Sequence, residues 1–199
     1  AEYRAVYEAE SDNAPALEAL ERLYKQTKKY AELLGIYERK RELAEEPEGK
    51  RQVLYGIAGL YERELRDRDR AIATYCEVLE EESMDATALE ALDRLYREAE
   101  AWEPYVDVLR RRIELDLGDA VLVDLKYRLG STLEKHLGDA AGALENYKEI
   151  LFLDPENDLA RASLEALLDN EGLRAEAAGI LQDIYETRED WSRLVQALE

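Results

Sequence analysis

The chain has 199 residues, of which 46% are hydrophobic and 37% are charged, so it has enough apolar residues to build a core and is not disordered throughout. Its 47 acidic and 27 basic residues give a formal net charge of −20, which disfavours nucleic acids and anionic membranes as partners. Such an acidic balance favours either high solubility or attraction to a basic partner.

Apolar residues recur at helical spacing along the chain, as in Leu17, Leu20 and Leu23. Short segments rich in Asp, Asn, Gly or Pro separate these runs, and residues of these types cap or interrupt helices. No segment alternates long enough to predict a sheet. The pattern predicts an all-α chain of about 12 helices, at 2–10, 14–27, 30–44, 50–66, 68–82, 85–99, 102–116, 120–136, 139–153, 156–169, 173–187 and 190–199.

The sequence contains an internal repeat. The pentad Ala-Leu-Glu-Ala-Leu occurs at 16–20 and again at 88–92, and Tyr75 returns at the same offset as Tyr147, which defines a 72-residue period. A fixed period of this kind is typical of stacked-repeat proteins. Each 72-residue block holds four predicted helices, which form two hairpins, and a single hairpin cannot bury its apolar face alone.

The two hairpins of a block differ in sequence. One carries Leu-x-x-Leu-Tyr, at 20–24 and 92–96, and the other has a small residue in its first helix followed by Ala and Tyr in its second. A third block begins in register, with Ala160 and Leu164 one period after Ala88 and Leu92, whereas the similar run at 181–185 stands in another register. Two interpretations stay open: the period slips after Asn170, or the later likeness is generic.

The second hairpin type resembles the tetratricopeptide repeat (TPR), because the run containing Tyr127, Gly130, Ala143 and Tyr147, followed by Leu-Asp-Pro-Glu-Asn at 153–157, has that family's pattern of small and large residues. The resemblance implies a right-handed α-solenoid of antiparallel helical hairpins. We expect one TPR-like solenoid over 1–199, and a segment of a longer, bacterial array. Its predicted parts are a partial repeat at 1–12, hairpins at about 13–47, 48–84, 85–118, 119–155 and 156–188, and a partial repeat at 189–199.

The family pattern has a steric explanation. It places Gly130 and Ala143 face to face where two helices cross, with Tyr147 filling the gap to the next hairpin. The recurring tyrosines are therefore predicted to be core residues whose hydroxyl groups reach the rim of the core. These tyrosines are Tyr24, Tyr75, Tyr96 and Tyr147.

The sequence offers little chemistry for catalysis or metal binding. His136 is the only histidine and Cys76 the only cysteine, which excludes a His-rich metal site and an internal disulfide. His136 is predicted to complement the dipole at the C-terminal end of a helix. We therefore expect no catalytic residue, no metal and no cofactor. No apolar run reaches the ~20 residues needed to cross a bilayer, and no signal peptide is expected. The sequence leaves the compartment unknown and favours a soluble, cytoplasmic protein.

In a helical solenoid the first helices of the hairpins line a concave binding face. By resemblance, ten residues point to this face and are the candidate partner-binding residues. Their mixture of tyrosines, acids and arginines suits a peptide with an apolar anchor and basic flanks, although an ordinary solvated face is the other interpretation. The ten are Glu18, Arg22, Tyr55, Gly59, Glu62, Glu90, Arg94, Tyr127, Ser131 and Glu134.

Two functions follow from the sequence. The first is a non-enzymatic scaffold that binds a protein or peptide along the concave face, with a basic segment as the partner that the charge favours. The alternative is a structural spacer or self-assembly element that stacks end to end through uncapped terminal helices. Neither nucleic acid nor membrane insertion is expected, and self-association distinguishes the two functions.

Overall fold

The structure is a computed structural model that describes residues 2–115, 118–189 and 191–198. Regular secondary structure within these ranges is entirely helical, so the predicted all-α class is confirmed. Predicted helix ends at Asp116, Asp190 and Glu199, and Leu117 of a predicted turn, lie outside the described residues. The twelve helices are α1 (Glu2–Ala9), α2 (Ala14–Gln26), α3 (Tyr30–Leu43), α4 (Pro47–Leu60, continued by a π-helical turn at Tyr61–Leu65), α5 (Arg68–Glu81), α6 (Ala86–Glu98), α7 (Trp102–Ile113), α8 (Asp119–His136), α9 (Ala140–Leu153), α10 (Asp158–Leu167), α11 (Arg174–Thr187) and α12 (Trp191–Leu198).

The helix starts keep the 72-residue period as far as α12. Burial follows the same period, because Leu20, Leu92 and Leu164 are all almost fully buried. The period therefore does not slip after Asn170, and the likeness of 181–185 to the Leu-x-x-Leu-Tyr pattern is generic. The starts are residues 14, 86 and 158 for α2, α6 and α10; 30, 102 and 174 for α3, α7 and α11; and 47, 119 and 191 for α4, α8 and α12.

Contacts divide the chain into two compact units, unit 1 (Ala1–Leu95) and unit 2 (Tyr96–Glu199). In unit 1, each helix from α1 to α4 packs on the next one, and Leu54 and Ile57 of α4 and Val78 of α5 are all buried. In unit 2, α7 to α11 contribute to one hydrophobic cluster that includes Leu109 and Leu144. A single solenoid over 1–199 stays a prediction.

Polar caps fix where the repeated helices begin. Asn13, Asp85 and Asn157 occupy one position of the period, and each accepts a hydrogen bond from the backbone N–H of the third residue after it, at 3.0–3.1 Å. Asp67 and Asp139 cap α5 and α9 in the same way, at 3.1 and 2.9 Å. Each cap satisfies a backbone donor that the first helical turn leaves unpaired. The repeat therefore includes the turns as well as the apolar faces.

Helix α4 starts at Pro47, earlier than the predicted start at residue 50. The segment 46–49 was predicted to be a break, but proline is well suited to the first turn of a helix, where its missing N–H is not needed. The helix ends in the π-helical turn, and Asp67 N–H donates to Tyr61 O at 2.9 Å. The equivalent bond, from Asp139 N–H to Leu133 O, is also 2.9 Å long.

The pairing of Gly130 with Ala143 stays a prediction, and the nearest atoms to Gly130 belong to the turn of α9 that follows Ala143. A Cβ atom at Gly130 would lie 2.9 Å from Cε1 of Tyr147 and 3.3 Å from Cβ of Asn146, so the glycine makes room first for the tyrosine ring. Ala143 is fully buried all the same. The predicted core position is confirmed for Tyr75 and Tyr147, which are buried, whereas Tyr24 and Tyr96 are half-buried against the core clusters.

Candidate functional site

The ten candidate residues lie on four helices, and the structure brings only some of them into contact. Residues of one helix that are separated by three or four positions share a face. In unit 1 the candidates are Glu18 and Arg22 on α2, Tyr55 and Gly59 on α4 with Glu62 in its π-helical turn, and Glu90 and Arg94 on α6; in unit 2 they are Tyr127, Ser131 and Glu134 on α8.

Glu62 binds two side chains at once in unit 1. Its Oε1 accepts a hydrogen bond from Nη2 of Arg94 at 2.7 Å, and its Oε2 accepts one from the Tyr75 hydroxyl at 3.0 Å. Burial raises the pKa of Tyr75 to about 12, Glu62 adds to this rise, and Arg63 and Arg94 oppose it. Both carboxylate oxygens of Glu62 are therefore engaged within the protein.

Tyr55 is also engaged within unit 1. Its hydroxyl donates to Asp85, the residue that caps α6, and its ring meets Tyr75 edge-on with 6.2 Å between the ring centroids. Burial, followed by the contact with Asp85, raises the pKa of Tyr55 above its usual range. Tyr55 thus ties α4 to the start of α6.

Gly59 is buried and does not present an exposed surface. Nε of Arg63 donates to Gly59 O at 3.4 Å, and a Cβ atom at position 59 would lie only 2.5 Å from Nη2 of Arg63. The two residues line one side of a cavity of about 240 Å³, together with Tyr30 and Tyr37. The glycine therefore provides room for the arginine side chain.

Glu18 lies at the edge of an open groove of about 350 Å³ in unit 1. Both carboxylates at this edge, Asp12 and Glu18, form no ion pair in the described part of the chain, whereas Lys40 pairs with Glu21. The groove thus joins an apolar wall to an uncompensated acidic edge. Its lining residues are Asp12, Ala14, Leu17, Glu18, Lys40, Leu43, Ala44, Gly49 and Val53.

Arg22 and Glu90 are exposed on α2 and α6. Within the described ranges, neither forms a hydrogen bond or an ion pair with the other candidates. The structure therefore does not gather these two residues into a site with the rest of the unit 1 set.

On α8 of unit 2, Tyr127, Ser131 and Glu134 are half-buried and spaced four and three positions apart, which places them on one helix face. The Tyr147 hydroxyl donates to Oε2 of Glu134 at 2.8 Å, and the rings of Tyr127 and Tyr147 lie 5.9 Å apart between centroids. Burial, followed by Glu134, raises the pKa of Tyr147 above its usual range. Tyr147 of α9 thus contacts both Tyr127 and Glu134 of this face.

The sequence has one histidine and one cysteine, and neither lies in a cluster of metal-ligating side chains within the described ranges. His136 is the last residue of α8, as expected, and its ring stacks on Trp102 with 3.8 Å between centroids. Cys76 is half-buried in α5. No group of three metal-ligating side chains occurs in the described ranges. None of the helices described here is long and apolar enough to cross a membrane.

Sequence reasoning missed three features of these surfaces: the bond between Tyr55 and Asp85, the ion pair between Glu62 and Arg94, and the groove at Glu18. The signal for Asp85 was present, because Asn13, Asp85 and Asn157 hold one position of the period. The groove left no signal in sequence, since its walls come from three separate helices.

Comparison with known proteins found one matching family model and several solved structures with a similar fold. Residues 16–51 match the family model of the tetratricopeptide repeat. A tetratricopeptide repeat protein from Parabacteroides merdae ATCC 43184 has 14% identity and a TM-score of 0.51, over 91% of this chain and 69% of its own. YrrB, described as a TPR protein with an unusual peptide-binding site, has 16% identity and a TM-score of 0.48, over 98% and 96%. The corresponding values for the MamA protein are 18%, 0.48, 89% and 92%.

No curated protein sequence matches this chain. The match of residues 16–51 and the repeated hairpins nevertheless show a TPR-like helical repeat protein. Repeats of this family serve in general as non-enzymatic protein–protein interaction modules.

Proposed function

We propose that this TPR-like helical repeat protein is a non-enzymatic scaffold that binds a protein or peptide segment along the faces of its first hairpin helices. The groove at Glu18 is the observation that carries this function. Its volume of about 350 Å³ is within the range of pockets that hold ligands, and Leu17, Leu43 and Val53 give it an apolar wall. An apolar side chain of a peptide fits such a wall as an anchor.

The charge of the groove favours a basic flank next to the anchor. Asp12 and Glu18 form no ion pair within the described chain, and the protein as a whole has a formal net charge of −20. Both the local and the long-range field therefore attract a cationic segment. Low salt should strengthen the binding, because the exposed carboxylates are screened at higher ionic strength.

Seven of the ten candidate residues divide into two roles under this function. Tyr55, Glu62 and Arg94 are engaged with one another or with Asp85 and Tyr75, and we assign them to shaping the face of unit 1. Glu18 in unit 1 and the half-buried α8 residues in unit 2 are assigned to contact with the partner. The list of contact residues is thus narrower than the sequence predicts.

The test uses a phage-displayed library of random 12-residue peptides, selected on the whole chain. The affinity of the best peptide is then measured for two leucine variants of unit 1 that are matched in exposure. Leu43, which lines the groove, is 38% exposed, and Leu65, which does not, is 39% exposed. Leu43→Asp should weaken binding about tenfold or more because it places a charge on the apolar wall, and Leu65→Asp should leave it unchanged. Equal affinity for both variants, or no selected peptide at all, would overturn the assignment.

End-to-end stacking makes a different prediction for the free protein. Light scattering on the whole chain should give a mass that does not change with protein concentration if the chain acts only as a scaffold. A mass that rises with concentration would favour the self-assembly element instead.

A further inference from the structure

We propose that Tyr127, Ser131 and Glu134 of unit 2, here called the α8 row, receive a lysine or arginine side chain of the bound segment. This inference rests on the proposed scaffold function and assigns it a specific contact. It comes from a difference between two copies of the same surface within one chain.

The corresponding row in unit 1 is filled from within the protein. Tyr55, Gly59 and Glu62 stand one full period before the three members of the α8 row. The Tyr55 hydroxyl donates to Asp85, and the Glu62 carboxylate accepts from the guanidinium of Arg94 at 2.7 Å. In unit 1 an arginine of the chain itself therefore neutralises the carboxylate of the row.

Unit 2 lacks both of these internal partners. Alanine stands at position 166, where the period aligns it with Arg94, and asparagine stands at position 157, aligned with Asp85. Glu134 accepts one hydrogen bond, from the Tyr147 hydroxyl at 2.8 Å, and forms no ion pair within the described ranges. The hydroxyls of Tyr127 and Ser131 form no hydrogen bond to any described residue.

Helix α10 starts one period after α6 and buries the same positions, so residue 166 stands on α10 where Arg94 stands on α6. Ala160, Leu164 and Leu167 of α10 are buried as Ala88, Leu92 and Leu95 of α6 are. Ser163 of α10 lowers the pKa of Tyr147, the residue that supports Glu134, so α10 lies beside that tyrosine.

The side chain of Ala166 is exposed and too short to reach Glu134 as Arg94 reaches Glu62. No described residue therefore pairs with Glu134 as Arg94 pairs with Glu62, and a group from outside the chain can take this role. A cation from the partner would complete the same contact.

The chemistry of the α8 row suits a cation. Glu134 has a second carboxylate oxygen available, and the two hydroxyls add acceptor lone pairs on the same helix face. A guanidinium or ammonium group carries only donors, so all its contacts with these oxygens are favourable. Because Glu134 is half-buried, salt screens the pair less than it screens a pair between fully exposed charges.

The first test supplies the cation from within the chain. Ala166→Arg should occupy the α8 row, weaken binding of the library-selected peptide about tenfold, and raise the Tm by about 1–3 °C at low salt. Ala120→Arg is the matched control, because it makes the same charge change on an exposed alanine at the opposite end of α8 from Glu134. It should leave both quantities unchanged.

The second test is a double-mutant cycle on the pair that Glu134 forms with the cationic side chain of the peptide. Glu134→Gln keeps an acceptor for Tyr147 and removes the charge, and the arginine or lysine of the selected peptide is replaced by citrulline or norleucine. Each change alone should weaken binding about tenfold, and the second should add less than twofold once the first is present. Circular dichroism of each variant checks that it is folded.

The outcomes separate this inference from the scaffold function. Peptides that lose affinity with Leu43→Asp, but bind Glu134→Gln and Ala166→Arg as they bind wild type, would overturn the α8 row and leave the scaffold standing. A selection without any binding peptide would overturn both. Loss of binding in both variants but not in Ala120→Arg, together with the coupling in the cycle, supports the inference.

Discussion

Nη2 of Arg94 lies 2.7 Å from Oε1 of Glu62, an ion pair that joins α6 to the π-helical turn after α4. The side chains are 42% and 21% exposed, so water screens the pair only in part. We expect Arg94→Met, which keeps most of the apolar stem, to lower the free energy of unfolding by about 0.5–1 kcal/mol.

A double-mutant cycle in urea with Glu62→Gln tests this pair. The amide oxygen that this substitution introduces can still accept from Tyr75, so the cycle isolates the ionic contact with Arg94. The two single losses should not add in the double variant. Full additivity would show that the contact does not stabilise the fold.

Gly130→Ala is expected to destabilise unit 2 although alanine favours helices. The added Cβ would lie 2.9 Å from Cε1 of Tyr147, whose ring is fully buried and cannot move aside freely. Overpacking of about 1–3 kcal/mol should exceed the gain of about 1 kcal/mol in helix propensity. Gly179→Ala, within α11 and with no atom within 4 Å of its Cβ position, should raise the midpoint of urea unfolding instead. Equal shifts of the two midpoints would contradict the close approach at Gly130.

The helices and their period could be predicted from sequence because they depend on local spacing, caps and turn residues. The structure resolves the question at Asn170 because helix starts keep the period even where the sequence match fades, as Arg174 and Trp191 show. By contrast, the close contact at Gly130 depends on which rotamer the Tyr147 side chain adopts across a helix crossing. Sequence spacing does not contain that information.

Alkaline pH should destabilise the fold through its buried tyrosines. Burial and Glu62 raise the pKa of Tyr75 to about 12, whereas an unfolded tyrosine ionises near pH 10. Between these values the unfolded state binds fewer protons, so stability is complete below pH 10 and declines as the pH rises towards 12. Urea midpoints at pH 9, 10 and 11 measure this decline, and Tyr75→Phe should make it shallower. An unchanged slope in that variant would show that Tyr75 ionises equally in both states.

The stacking of His136 on Trp102 should be visible in fluorescence. The rings lie 3.8 Å apart between centroids at an interplanar angle of 16°. In a Trp191→Phe background, where Trp102 is the only tryptophan, His136→Ala should shift the emission to longer wavelength because the indole face meets water. His136→Ala should also lower the free energy of unfolding by about 0.5–1.5 kcal/mol. Lys135→Ala, which removes the neighbouring cation of the last α8 turn, is the control; an equal emission shift there would contradict the ring contact.

The candidate site was predictable only in part. Resemblance identified the residues of α4 and α8 that share a helix face, but not which of them the chain already satisfies. Arg94 and Glu62 lie far apart in sequence and on different helices, so only the fold shows their contact. The asymmetry between the copies did leave a sequence signal, because Arg94 is aligned with Ala166 in the period.

Amide chemical shifts of the whole chain, recorded with and without the library-selected peptide, show which surface binds it. The scaffold function predicts shifts concentrated around the groove at Glu18 in unit 1, on α8 from Tyr127 to Glu134 in unit 2, or at both. Glu134→Gln should reduce the α8 shifts and leave those of the groove. Shifts confined to surfaces outside these residues, such as the 87% exposed Phe152 at the end of α9, would contradict the scaffold function.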